Sequence, residues 1–522
     1  MTDGSPDPSL VDRLAGLDSW HADWSGLRVA VLGLGVTGFA VADTLAELGA
    51  DVLVVAPRVD PDKAELLHLI GARLEEVASL DTPSEALLAF DAEVVVVSPG
   101  FAPHHPVVRW AAGSGAAVWG DVELAWRVRD KVERMADWVL VTGTNGKTTT
   151  TQLAAAMAAT DGRRVAPCGN IGVPVLDAVR DPEGFDLFVV ELSSHQLHYL
   201  PTEGPGALRP RASVCLNLEA DHLEWHGGAD GYREAKAKVY ENTLVACVYN
   251  KADDATLRMV EEADVAEGCR AVGFGLDAPG PSEFGIVSGD GVAVLADRAF
   301  LAERRTQALE LTTREALEGV GLGADHLVED VLAAAAIVRA VGVSPVSVRD
   351  ALAGFAVDHH RTEVVAEAEG ITWVDDSKAT NPHAARASLT AFPSVVWIVG
   401  GLFKGVDVEP LVRDSTGAVR AAVFVGVDRE PLRRAFARHA PGIPVLEVDA
   451  TDTGQVMPTA VGLAASVARA GDTVLLAPAA ASMDQFTDYT ARGRSFASAV
   501  HEHLKGDVDG QPALQPPAPP TD

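Results

Sequence analysis

The chain of 522 residues reads as three consecutive α/β domains: a Rossmann-like first domain, a central domain of P-loop type and a Rossmann-like last domain. Three observations predict this. Short runs of Val, Leu and Ile alternate with helical stretches along most of the length, the pattern of βαβ units with parallel sheets. Two of those runs end in glycine turns that open helices, Gly33-Leu-Gly35-Val-Thr-Gly38 and Thr142-Gly-Thr-Asn-Gly-Lys-Thr148. The length also exceeds what a single hydrophobic core accommodates.

In chain order, residues 1–25 are polar with Pro and Gly, and are expected to be loose or partly helical. The run 27–32 predicts a strand, 33–38 its glycine turn, and 39–48 a helix. Runs 51–55 and 93–97 are further strands, the second ending in Ser98-Pro99-Gly100. A charged helical stretch over 121–135 leads into the next strand and places a boundary near 137. The middle region carries a strand before Gly143, a helix over the Ala-rich 153–159, and strands at 187–192, 212–218 and 245–249. The stretch 276–322 mixes Gly, Pro and alternating charges and receives no element. A helix over 328–341 follows, and Ser344-Pro345 predicts an N-cap with Pro at the first helical position of a short helix ending at Gly354. Residues 359–361 are the expected hinge into the last domain, with strands at 371–374, 395–399, 421–425 and 473–476. The expected domains are 1–137, 138–356 and 357–505, and the Pro- and Gln-rich tail 506–522 is expected to be disordered.

Composition excludes several classes. A net charge of −32, from 42 basic against 74 acidic residues, argues against general nucleic-acid binding, which needs a basic footprint. The four cysteines, Cys168, Cys215, Cys247 and Cys269, show neither a CxxC nor a zinc spacing and read as reduced packing residues. The acidic N-terminus does not resemble a signal peptide, and no apolar run approaches the roughly 18 residues a membrane helix needs. A cytoplasmic protein without membrane insertion is expected.

The first glycine turn fits G-x-G-x-x-G between a strand and a helix, the dinucleotide context. A NAD site also needs an acid after the second strand to accept the ribose hydroxyls, and here that strand ends Val55-Ala56-Pro57. The turn and helix N-terminus still suit a diphosphate, so a nucleotide-sugar diphosphate is the better ligand. Gly35, Val36, Thr37 and Gly38 are its candidates.

The second turn carries the main chemistry. Backbone N–H groups of Gly143, Thr144, Asn145 and Gly146, with Thr149 behind them, would cradle phosphates, Lys147 would reach the β/γ-phosphates, and the Thr148 hydroxyl would sit on Mg2+. Glu191 and His222 fall at or beyond strand ends on the same sheet edge, where open α/β sheets gather ligands. Thr148, Glu191 and phosphate oxygens make a plausible Mg2+ set, with His222 tolerable beside a second ion. His195, His198 and His226 read as structural or surface residues. Lys236 and Lys238 lie on an amphipathic helix and would ordinarily face water.

Together with Gly169-Asn170-Ile-Gly172, Glu191-Leu-Ser-Ser194, Asp221-His222, His360-Arg361, Asp376-Ser-Lys-Ala-Thr-Asn381 and Ser482-x-Asp484-x-Phe486, this loop resembles the Mur ligase family, in its D-glutamate-adding branch. The resemblance covers nearly the whole chain. It implies an ATP- and Mg2+-dependent ligase, using two ions, that joins D-glutamate to UDP-N-acetylmuramoyl-L-alanine through an acyl phosphate and works as a monomer. Residue by residue, it implies Lys147, Asn170, His222 and Lys236 as catalytic residues, with Lys236 carbamylated into a metal ligand and Lys238 its fallback. Arg361 and Asp376 would join the ATP site, Asn170 and Ser193 the UDP-substrate site. Lys378, Thr380, Lys404, Ser482 and Tyr489 would hold the two carboxylates of D-glutamate. His326-Leu-Val-Glu-Asp330 departs from the family's His-Asn-x-x-Asn, and Ala56-Pro57 replaces an acid–Thr pair.

Overall fold

The computed structural model describes residues 8–57, 59–289, 291–355, 360, 362–450 and 452–509. The chain divides into two compact units: Met1–Ala220 with Trp225–Ala356, and Asp221–Glu224 with Val357–Asp522.

The first unit holds two sheets. Strands β1 (Arg28–Leu32), β2 (Asp51–Ala56), β3 (Arg73–Glu76), β4 (Val94–Val97) and β5 (Ala117–Trp119) form a wholly parallel sheet in the order β3-β2-β1-β4-β5. Strand order reverses between β1 and β4, the position where such sheets open a ligand crevice. The continuous apolar run of β4 has every residue buried, as a strand covered on both faces requires.

Nine strands form the second sheet: β6 (Asp137–Thr142), β7 (Val165–Gly169), β8 (Leu187–Glu191), β9 (Ala212–Cys215), β10 (Ala246–Asn250), β11 (Arg270–Phe274), β12 (Glu283–Gly289), β13 (Val292–Asp297) and β14 (Leu309–Thr313). Their order is β14-β13-β12-β11-β10-β9-β6-β8-β7. Pairing is parallel from β7 through β12 and antiparallel for β12–β13 and β13–β14. The stretch 276–322, which received no element from its sequence, thus contains β12, β13, β14 and the helix Arg314–Gly319. As the sheet's edge they are only half covered, so their apolar residues come interrupted by Gly and charge.

Two further expectations change. Residues after the first helix, Pro8–Ala15, are not loose, because Leu17 and Trp24 are buried in the core. The helix expected over 121–135 ends at Arg127. Beyond it Asp130 accepts the Ser19 hydroxyl and the Trp20 N–H, which fixes the chain in a turn instead. The cysteines are free, and the Cys247 and Cys269 sulfurs lie 3.8 Å apart.

The second unit carries β15 (Glu363–Ala368), β16 (Ile371–Asp375), β17 (Val395–Gly400), β18 (Val419–Val425), β19 (Val445–Glu447) and β20 (Thr473–Leu476), in the order β15-β16-β20-β17-β18-β19. Only the edge strand β15 is antiparallel. The last strand inserts between β16 and β17, so the turns leaving these three strands meet at one edge. The closing helix, Tyr489–Asp509, runs into the first residues of the expected tail, whose remainder from 510 lies outside the described residues.

Among the described residues, no helix is long and apolar enough to cross a membrane.

Candidate functional site

In the first unit the site is built around the end of β6. Gly143 and Gly146 adopt positive φ values of 153° and 81°, which lets the loop curl over the N-terminus of the helix Lys147–Thr160. A side chain at Gly146 would overlap the Asp330 carboxylate, so glycine is required there on packing grounds also. Asp330, buried, accepts the Thr150 hydroxyl at 3.3 Å, tying the departed motif of the long helix Asp325–Ala340 to this loop.

The neighbours β9 and β8 complete the edge. Beyond β9, Asn217 accepts the backbone N–H groups of Thr144 (3.0 Å) and Asn145 (2.8 Å), and donates to the Asn145 carbonyl at 3.3 Å. The sequence reading passed over Asn217, though an amide directly after a strand paired with β6 was the available signal. Lys147 folds back so that its Nζ donates to the carbonyls of Gly143 (3.0 Å) and Thr144 (2.9 Å).

Glu191, at the end of β8, is 1% exposed. Its Oε1 accepts Asn170 Nδ2 at 2.9 Å, while Oε2 is buried with no hydrogen-bond partner among the described residues. A buried carboxylate oxygen left open is costly unless something positive completes it. The donor set of Glu191 with the hydroxyl of Thr148 is oxygen chemistry, which suits Mg2+.

Lys236, also 1% exposed, directs Nζ to the Gly143 carbonyl (2.7 Å) and the Thr142 hydroxyl (3.3 Å), 5.0 Å from the centre of the Tyr232 ring. The chain therefore brings Lys236 to the loop, whereas Lys238 donates to the carbonyls of His198 and Leu200. His195, His198 and His226 pack around Trp225, with His195 stacked on it at 4.3 Å and His226 Nε2 2.9 Å from Ser194 Oγ.

Ser193, expected at the UDP substrate, stands at the N-terminus of the helix that follows β8. Its hydroxyl caps the helix Ser194–Tyr199 in a reciprocal box with Gln196. Gln196 in turn donates to Asp121 Oδ2 at 3.1 Å, joining this strand end to the first sheet's domain. Burial pushes the Asp121 carboxyl up, opposed by that bond.

At the first glycine turn, Gly33 has φ +94°, and a Cβ on Gly38 would overlap the Gly33 carbonyl, so these glycines permit the tight turn and close helix packing. Gly35 caps the helix Val36–Glu47 without a side-chain bond, leaving its first N–H groups open; Val36 is exposed and Thr37 half-buried. Ser98, after β4, sets beside this turn a buried hydroxyl with no hydrogen-bond partner among the described residues, a residue the sequence reading left without a role.

His222 lies beyond β9 in the segment that groups with the second unit; its φ is +51° and its Nε2 stands 3.5 Å from Asp221 Oδ2.

In the second unit Lys378 follows β16, Lys404 follows β17 and Ser482 follows β20. Lys378 Nζ is 3.2 Å from the Tyr489 hydroxyl and 4.9 Å from its ring centre. Leu402 and Ala481 exchange both backbone hydrogen bonds, zipping the β17 and β20 turns together. Thr380 is half-buried, and Asn381 caps the next helix, accepting from Ala384 N. Asp376 is buried and its carboxylate is engaged by Ser388 Oγ and Thr362 N, so it faces inward. Next to it, Asp375 bonds His360 Nδ1 at 2.6 Å and raises that imidazole's pKa. Arg361 lies outside the described residues.

Three family models match in succession: a MurD-like N-terminal domain of Mur ligases over 27–120, a Mur ligase middle domain over 141–338 and a Mur ligase glutamate ligase domain over 360–480. A UDP-N-acetylmuramoylalanine–D-glutamate ligase of Leifsonia xyli subsp. xyli is 62% identical over 97% of this chain and 98% of its own length. One of Streptomyces coelicolor is 47% identical over 92% and 99%. Among solved structures, the UDP-N-acetylmuramate–alanine ligase MurC of Thermotoga maritima aligns with a TM-score of 0.55 at 18% identity, covering 92% of this chain and 99% of that one, a likeness of fold. The chain belongs to the Mur ligase family, within the group of the UDP-N-acetylmuramoylalanine–D-glutamate ligases.

Proposed function

We propose that this enzyme uses ATP to add D-glutamate to UDP-N-acetylmuramoyl-L-alanine in peptidoglycan precursor synthesis. The observation that carries the reading is the near full-length similarity to relatives of that name, 62% and 47% identical over 97% and 92% of the chain. ATP phosphorylates the L-alanyl carboxylate, ADP leaves, and an acyl phosphate results. The amine of D-glutamate then attacks the acyl carbon, inorganic phosphate departs from the tetrahedral intermediate, and the nitrogen gives up its surplus proton.

Each set of residues has a part in this. Lys147 turns from the loop carbonyls to the triphosphate, and the N–H groups of 143–149 and the helix N-terminus offset charge that builds during transfer. Glu191 and the Thr148 hydroxyl would hold Mg2+, with His222 and a carbamylated Lys236 serving a second ion; the metal, when bound, supplies charge neutralisation and alignment. Asn170 fixes Glu191 and faces the acyl group. The first glycine turn, residues 35–38, holds the uridine diphosphate, with Ser98 beside it. Ser193, whose hydroxyl also caps its helix, joins Asn170 on the UDP-substrate side. Lys378, Thr380, Lys404, Ser482 and Tyr489 bind the amino acid's carboxylates. Arg361 and Asp376 belong to the ATP side, Arg361 by contact and Asp376 by holding Thr362 next to it. We further infer a cytoplasmic monomer acting on small molecules.

An amino-acid panel tests this. Phosphate release from ATP is expected only with both UDP-N-acetylmuramoyl-L-alanine and D-glutamate present. Equal use of L-glutamate or another amino acid would overturn the assignment.

A further inference from the structure

Beneath the amino-acid pocket, the helix Tyr489–Asp509 sends a charged side chain into the interior of the second unit, beside the apolar Phe496, Ala499 and Val500. Arg492 is 1% exposed. Its Nε donates to Ser377 Oγ at 3.0 Å, one Nη to the Ser377 carbonyl at 2.8 Å, and the other to the Ala480 carbonyl at 3.1 Å. Every one of these acceptors is neutral. The acids nearest in charge, Asp375, Asp376 and Asp484, are spent elsewhere: on His360 and Ser377 N, on Thr362 N and Ser388, and on Val427 N. Burial pulls the guanidinium down to about 10, so it stays charged at neutral pH.

The acceptors lie on the two turns that carry the pocket. Ser377 directly precedes Lys378, and its hydroxyl also donates to the Tyr489 carbonyl at 2.7 Å. Ala480 is two residues before Ser482, on the turn that pairs with Leu402 on the way to Lys404. A planar fork with donors on separate edges holds both turns in a fixed geometry, whereas a lysine would offer them a single, shorter-reaching point charge. Gly493 beside it carries no side chain, and a Cβ there would overlap His360 Nδ1. The helix is thereby held close enough for Arg492 to reach.

We propose that Arg492 is the positioning residue of the amino-acid pocket, clamping the Lys378 turn to the Ser482 turn and placing a buried, directly unpaired positive charge behind them that favours a dicarboxylate. This rests on the reading that the pocket binds D-glutamate.

The test is steady-state kinetics of full-length R492K, R492Q and the milder S377A, with melting temperatures and trapping of the acyl phosphate by hydroxylamine. R492K keeps the charge and loses one turn, so KM for D-glutamate is expected to rise about 10-fold; R492Q is expected to raise it about 100-fold and S377A about threefold. KM for ATP and for the UDP substrate should stay within twofold, and trapping, which needs no D-glutamate, should continue. The proposal is overturned if KM for D-glutamate is unchanged in all three, or if trapping and every KM degrade together in S377A and R492K. A wild-type enzyme that ignores D-glutamate would instead sink the functional reading itself.

Discussion

Replacing Asn217 by Ala isolates what the phosphate loop owes to its neighbouring strand. The substitution removes Oδ1 and Nδ2 but keeps the Asn217 backbone carbonyl, which also accepts Thr144 N at 3.0 Å. What is lost is the acceptor for Asn145 N (2.8 Å) and the donor to Asn145 O (3.3 Å). At about 1 kcal/mol net for each hydrogen bond, the loop's ordering loses about 2 kcal/mol. If ATP must restore that order on binding, its affinity falls by up to ~30-fold, since about 1.4 kcal/mol is a factor of ten. Calorimetric titration with a non-hydrolysable ATP analogue measures this directly, and a melting curve checks that the variant is folded. A folded variant whose affinity lies within threefold of wild type would refute the idea that Asn217 preorganises the loop.

Other consequences are equally accessible. Glu191→Gln keeps the bond from Asn170 but removes the charge behind the open oxygen, so the Mg2+ concentration for half-maximal ATP use should rise at least 10-fold; an unchanged Mg2+ requirement would place the metal elsewhere. Chelation of divalent cations should stop ATP use in both proteins. The raised pKa of His360 means that the protonated imidazole paired with Asp375 stabilises the second unit. That contribution is complete below the imidazole's unperturbed value of about 6.5 and is lost as pH rises through the raised one. Stability followed by denaturant titration should fall across that interval in wild type and less in His360→Gln; parallel profiles would show that the pair contributes nothing.

Fold class and the phosphate loop were legible in the residues, because continuous Val/Leu runs and glycine turns are local signals that survive in any packing. The parallel strands β1, β4, β8 and β17 follow directly from runs buried on both faces. Edge strands β12 to β14 were illegible, since a half-covered strand alternates with Gly and charge and resembles a loop. The roles of Asn217 and Arg492 were equally hidden. An amide after a strand and an arginine on an ordinary helix have no signature until strand order brings them under the loops they hold. Lys236 and Lys238 were separable only by the helix's rotation, which buries one against Gly143 and spends the other on the His198 and Leu200 carbonyls at the end of the helix Ser194–Tyr199. The residues themselves therefore determined which chemistry is present, through side-chain types at fixed spacing along single segments. Tertiary structure alone decided which of those side chains meet, because distances between segments are set by sheet order and packing and are written in no single stretch of chain.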